Sequence, residues 1–121
     1  MSTLRLETMY DYRGYTGVWQ YDASLERFTG EVIDLRDQIH FEGESVAELK
    51  ASMRRAVDHY LEVCAERDER PDRPFSGRFN VRLDPAMHRE VAKAAALKSE
   101  SMNDWVRDAL ERKAREQMGT S

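Results

Sequence analysis

Residues 77–118 read GRFNVRLDPAMHREVAKAAALKSESMNDWVRDALERKAREQM, and they decide how the rest of the chain is understood. From Arg78 to Leu83 polar and apolar residues alternate strictly. A period of two sends alternate side chains to opposite faces of a strand, so Phe79, Val81 and Leu83 point toward a core and Arg78, Asn80 and Arg82 point away from it. Two guanidinium groups flanking an amide suit base-edge reading, since Arg bonds guanine bidentately and Asn bonds adenine. A plain half-solvated strand carries the same pattern. Asp84-Pro85 then starts a helix: Asp caps, and Pro suits the first helical position because it has no amide hydrogen to satisfy. Met87, Val91, Ala94 and Ala95 recur at helical spacing, and the helix is expected to stop around Lys98-Ser99-Glu100. Ser101 opens a second helix, with Asp104 as a variant of the capping box. Met102, Trp105, Val106, Ala109 and Leu110 make its apolar stripe. The free amides from Ser99 to Asn103, at its start, form an anion site where a phosphate can sit.

The order strand, capped helix, turn, capped helix over RFNVRLDPAMHREVAKAAALKSESMNDWVRDAL resembles the ribbon-helix-helix family of DNA-binding proteins. The resemblance implies a two-fold dimer in which two copies pair their strands antiparallel and the ribbon enters the major groove. Arg78, Asn80 and Arg82 then match the base-reading positions, and the backbone near Ser101, Met102 and Asn103 matches the phosphate clamp. Phe79, Val81, Leu83, Trp105 and Leu110 become the dimer core, because one copy alone cannot bury them.

Working outward, the 121 residues suffice for one domain or two small ones, and 35% charged with 40% hydrophobic residues describes a globular chain. No apolar run of about 18 residues is present to span a membrane. The N-terminal stretch MSTLRLETMYDYRG lacks the basic and apolar regions of a signal peptide, and a lone Cys64 cannot form an internal disulfide. A cytoplasmic chain is therefore expected. The net charge of −4 is unevenly spread: residues 1–70 hold 9 Lys+Arg against 15 Asp+Glu, and residues 71–121 hold 10 against 8. An acidic first part joined to a mildly basic second part points to two different partners.

In the first part, Tyr15–Tyr21 and Phe28–Asp34 read as strands, the first rich in aromatic and β-branched residues, and Ile39–Phe41 reads as a short third. Ser45 starts a long helix, with Glu48 completing a capping box. Val46, Leu49, Met53, Val57, Tyr60, Leu61 and Cys64 form its apolar stripe, and Lys50, Arg54, Arg55, Asp58 and Glu62 form its other face. Charge and two prolines between Glu66 and Pro74 mark a linker. The expected fold class is α+β, with a three-stranded antiparallel sheet and one packed helix over residues 1–68, a linker over 69–76, and a ribbon-helix-helix dimerisation domain over 77–121.

The run FTGEVIDLRDQIHFEGESVAELKASMRRAVDHYLEVCAE resembles the HicB family of antitoxins, through Phe28-x-Gly30, Leu35-Arg36-Asp37-x-Ile39-x-Phe41-Glu42-Gly43, Ser45-x-x-Glu48-Leu49 and Asp58-x-Tyr60-Leu61. Both resemblances together match the HicB subgroup in which a sheet domain, a degenerate nuclease-like fold without activity, precedes a ribbon-helix-helix domain. Such a protein is implied to silence a HicA-like, mRNA-cleaving toxin and to repress its own operon by binding double-stranded operator DNA as a homodimer or a dimer of dimers. The motif is structural, so it assigns no toxin-contact residue. Acidic and aromatic residues on the exposed sheet or helix face are the candidates, since a toxin that holds RNA must be basic.

No enzyme, metal or cofactor is expected. His40, His59 and His88 lie in separate elements, and Asp34, Asp37, Glu42 and Glu44 form a loose acidic cluster that reads as solvated turns. Two other readings stay open: a stand-alone repressor whose first domain senses a ligand or oligomerises, and a nuclease using Asp37 or Glu42.

Overall fold

A computed structural model of the chain describes residues 8–119. Its first element, β1 (Met9–Tyr12), turns through Arg13 and Gly14 into β2 (Tyr15–Asp22). Both turn residues take positive φ, 51° and 85°, which is what a two-residue hairpin loop needs to match the twist of its strands. β2 pairs antiparallel with β3 (Arg27–Val32), and β3 with β4 (His40–Gly43), so the sheet runs in chain order β1-β2-β3-β4. The expected three-stranded sheet is thus four-stranded. β1 escaped the sequence pattern because it has only four residues and its turn begins with Arg rather than Asn or Asp.

The register places Tyr15, Gly17 and Trp19 of β2 on one face with Val32 and Gly30 of β3 and Phe41 of β4. The helix α1 (Val46–Glu66) covers this face. Leu49, Met53 and Val57, one turn apart, are completely buried, and Tyr15, Trp19, Val32, Ile39 and Phe41 close the core around them. Two glycines make room for this packing. A Cβ on Gly17 would lie 2.5 Å from Met53 Sδ and 2.7 Å from Phe41 Cζ, and one on Gly30 would lie 2.5 Å from Phe41 Cε2. The Phe41 ring therefore lies across the sheet where side chains are missing, which gives Gly30 of the Phe28-x-Gly30 motif its structural meaning.

Ser45 caps α1 as expected, its Oγ accepting from Glu48 N at 3.1 Å. The reciprocal bond of the box goes one residue further back, from Glu44 N to Glu48 Oε2 at 2.8 Å. The row Lys50, Arg54, Asp58, expected on the solvent face, instead lies against β1. Lys50 Nζ sits 5.1 Å above the Tyr10 ring, Arg54 Nη1 donates to Tyr10 Oη at 3.0 Å, and Tyr12 Oη donates to Asp58 at 2.9 Å. These charges are spaced one helical turn apart and use the tyrosine hydroxyls of the edge strand as partners. Arg55 and Glu62 of the same group are exposed.

The chain divides into two compact units, one ending at Arg78 and the other beginning at Phe79. In the second unit α2 (Pro85–Leu97) and α3 (Met102–Met118) pack against each other. Asp84 accepts from Met87 N at 2.9 Å and Pro85 holds the first position of α2. The helix ends in a Schellman arrangement, with Ser99 at φ 56°, Glu100 N donating to Ala95 O at 3.0 Å and Ser99 N to Ala96 O at 3.0 Å. Ser101 then caps α3, accepting from Asp104 N at 3.0 Å, while the Asp104 carboxylate pairs with Arg107 at 2.8 Å. Among the described residues of this unit Ala95 is the one buried residue. Among the described residues no helix is long and apolar enough to cross a membrane.

Candidate nucleic-acid interface

Between the sheet domain and α2, residues 78–84 take no regular structure within one chain, and every residue from Arg78 to Asp84 is exposed. Phe79 is 71% exposed, Val81 58% and Leu83 43%. The strand expected here is therefore not formed by the single chain. A strand needs the amides and carbonyls of a neighbour, and the four strands of the sheet pair with one another. Arg78, Asn80 and Arg82, the expected base readers, stand in this exposed segment, alternating with the apolar three.

The expected phosphate site is at the start of α3. Ser101 Oγ takes the amide of Asp104 and Ser101 O takes that of Trp105. The amides of Met102 and Asn103 precede any intrahelical acceptor and lie on an exposed helix end. They carry the partial positive charge of a helix N-terminus, which gives them the chemistry to hold a phosphate oxygen.

Of the expected dimer core, Trp105 and Val106 are half-buried against their own unit. Leu110 is exposed, as are Met87 and Met102 beside the three apolar residues of the segment. Both helices and residues 79–83 thus carry large apolar side chains that the chain leaves exposed.

The segment before it is tied to the sheet domain by bonds that composition did not reveal. Asp72 is their centre. Its carboxylate accepts from Arg36 Nη2 at 2.8 Å, Arg36 N at 3.1 Å and Asp37 N at 3.3 Å. Its amide donates to Tyr60 Oη at 2.8 Å, and its carbonyl accepts from Tyr15 Oη at 3.1 Å. Phe75 N donates to Asp34 Oδ2 at 2.8 Å. Hydrogen bonding and charge from Arg36 hold the Asp72 carboxyl below its usual range. Burial, with smaller contributions from the Asp72 charge and Cys64, pushes the Tyr60 hydroxyl up to about 12. Asp34 and Asp37 of the acidic cluster are thereby engaged as acceptor and backbone donor, and Glu42 pairs with Arg27 at 3.7 Å. Among the described residues no group of three His, Cys, Asp or Glu side chains is placed to hold a metal ion. His40, His59 and His88 are all exposed, and Cys64 is buried.

The model of the HicB family matches residues 60–110. That stretch, rather less than half of the chain, runs from the last two turns of α1 through the strapped segment and the exposed arm to the middle of α3. It supports membership of the HicB family. It overlaps the run whose sequence resembles HicB only from Tyr60 to Glu66, and falls mainly on the region that resembles a ribbon-helix-helix protein. Comparison with curated proteins and with solved structures gives no match.

Proposed function

We infer that this chain is a HicB-type antitoxin, which pairs with a second copy through residues 78–83, binds operator DNA with the resulting ribbon, and silences a small HicA-like toxin with its sheet domain. The observation that carries this reading is the exposed alternating arm. Polar residues suited to base edges and apolar residues that need a partner occupy alternate positions of one uncovered segment, inside the stretch matched by the HicB family. Pairing two copies antiparallel gives every arm amide facing the partner an acceptor, and it covers Phe79, Val81 and Leu83. The polar row Arg78, Asn80 and Arg82 then faces outward twice, as a six-residue reading surface. The amides of Met102 and Asn103 hold the phosphates that fix its register.

The acidic first domain has a different task in this reading. Its surface repels DNA and attracts a toxin whose own RNA-binding surface is basic. We place the protein in the cytoplasm, where its DNA and its toxin are. It is not an enzyme in this account: it works by occupying two surfaces.

Electrophoretic mobility of DNA taken from upstream of its own coding region tests the DNA part, and co-expression with the small protein encoded beside it tests the toxin part. The reading expects a specific shift on that DNA, weaker on random DNA, and a stable complex that restores growth. Neither a specific shift nor a complex would remove it.

The reach of the family match favours one other reading. Residues 8–59 lie outside it, and the uncovered sheet face has a groove of about 210 Å³ lined by Val18, Gln20, Thr29, Glu31 and His40 among others. A stand-alone repressor whose sheet domain takes a small ligand fits those two facts, and would show the DNA shift without the protein complex.

A further inference from the structure

The acidity of the first part of the chain is concentrated. Residues 20–48 hold 8 Asp+Glu and 2 Lys+Arg, while the rest of residues 1–70 holds 7 of each. The whole charge excess thus lies between the end of β2 and the first turn of α1. The sheet brings the ends of that stretch together: Tyr21 pairs with Phe28 across β2 and β3, and Phe28 with Gly43 across β3 and β4. Glu44 and the capped start of α1 follow Gly43 directly.

This end of the sheet also leaves large apolar side chains uncovered. Tyr21 is 55% exposed and Leu25, in the β2–β3 turn, 59%. The rings of Tyr21 and Phe28 pack edge to face at 5.3 Å between centroids, on the face that α1 covers further along the strands. The helix begins only at Val46, itself partly exposed. Arg27 points to the opposite face, with Glu42. Glu26 and Glu44 have no ion-pair partner among the described residues. An aromatic and aliphatic centre within a one-signed charged rim is how protein interfaces are built: the centre supplies the energy and the rim selects the partner.

We propose that this tip, centred on Tyr21, Leu25 and Phe28 and rimmed by Glu26 and Glu44, is the surface that takes the basic toxin. The proposal rests on the antitoxin reading and adds its location. The uncovered sheet face around Val18 and His40 is then not the contact. A basic partner is favoured over a second copy of this chain, because two copies would bring like charges together at this tip.

The test uses the whole chain and the small basic protein encoded beside it, with affinity measured by titration calorimetry. Glu26→Lys/Glu44→Lys and Tyr21→Ser/Leu25→Ser are each expected to weaken binding about a hundredfold, since central apolar anchors and matched charges dominate such contacts. Glu62→Lys/Glu66→Lys, the same charge change at the far end of α1, is expected to weaken it less than about threefold. All four substituted tip residues lie at or beyond the edge of the core, so an unchanged melting temperature is expected. Leu25→Ser alone, in the turn, gives the same direction if a double variant unfolds. Wild-type affinity in the tip variants overturns the proposed surface and leaves the antitoxin reading standing. No binding by the unaltered chain overturns both.

Discussion

Leu49, Met53 and Val57 are wholly buried by the chain that carries them, whereas Phe79, Val81 and Leu83, in an equally regular apolar pattern, stand open to solvent. The difference lies in what the chain supplies nearby. α1 has a four-stranded sheet to lie on, with glycines at positions 17 and 30 that admit the ring of Phe41. Among the described residues, the arm's own unit offers it two helices and no strand. Apolar periodicity therefore has two outcomes in this molecule: in the first domain it makes a finished core, and in the second it stays exposed, where we propose that a second copy covers it.

The largest expected effect comes from attacking the unfinished side. Trp105→Ala removes the biggest ring from the helix pair, half-buried in one chain; buried fully in the proposed dimer, it is worth about 3–5 kcal/mol. The proposed dimer would contain it twice. Sedimentation should show a monomer with reduced helicity while the sheet domain keeps its own near-ultraviolet signal. Met53→Ala should do the reverse. It should cost about 2–5 kcal/mol in the sheet domain, lowering that domain's melting transition, with dimerisation retained. If either substitution melts both units together, the two are not independent and the contrast fails.

Much of this layout was legible from residues alone, for local reasons. Ser45, Asp84 and Ser101 announce their helices because a cap is a short-range bond between neighbours in sequence. The expected strands Tyr15–Tyr21 and Phe28–Asp34 differ from those observed by one or two residues at their ends. What could not be read depended on distant partners. Nothing in Lys50, Arg54 and Asp58 says that Tyr10 and Tyr12 will pack against them. Asp72 sits in a charged, proline-rich run that reads as loose chain, yet it bonds to Arg36, Asp37, Tyr60 and Tyr15. The arm shows the opposite case, since its strand pattern is plain in sequence but unrealised in one copy.

A smaller effect should sharpen the functional side of the comparison. Arg82→Ala should cost about 1–3 kcal/mol of discrimination at one base position, with binding to random DNA much less affected. Binding assays on single-base operator variants measure this, and equal loss on specific and random DNA would remove Arg82 from the reading row.

The smallest effect concerns the strap that ends the first domain. Arg36 stabilises the Asp72 carboxylate and so depresses its pKa below the ordinary 3.8. A depressed acid contributes stability that is present above its unfolded value and lost as pH falls through the folded one. The strap should therefore hold at neutral pH and loosen below about pH 3.8. Asp58, held low first by Arg13 and then by Tyr12, should behave alike at the β1 edge. Amide shifts of Asp37 and Phe75 followed by NMR during acid titration would report the strap, and Asp72→Asn should abolish their joint transition.

The central claim is that the arm becomes a strand only between two copies, and amide hydrogen exchange across residues 79–83 of the full chain tests it most directly. The account predicts slowed exchange at alternate arm amides, with protection that rises with protein concentration and disappears in Trp105→Ala. Arm amides that exchange as fast as an unfolded peptide at every concentration, in a protein whose helices are formed, would contradict it.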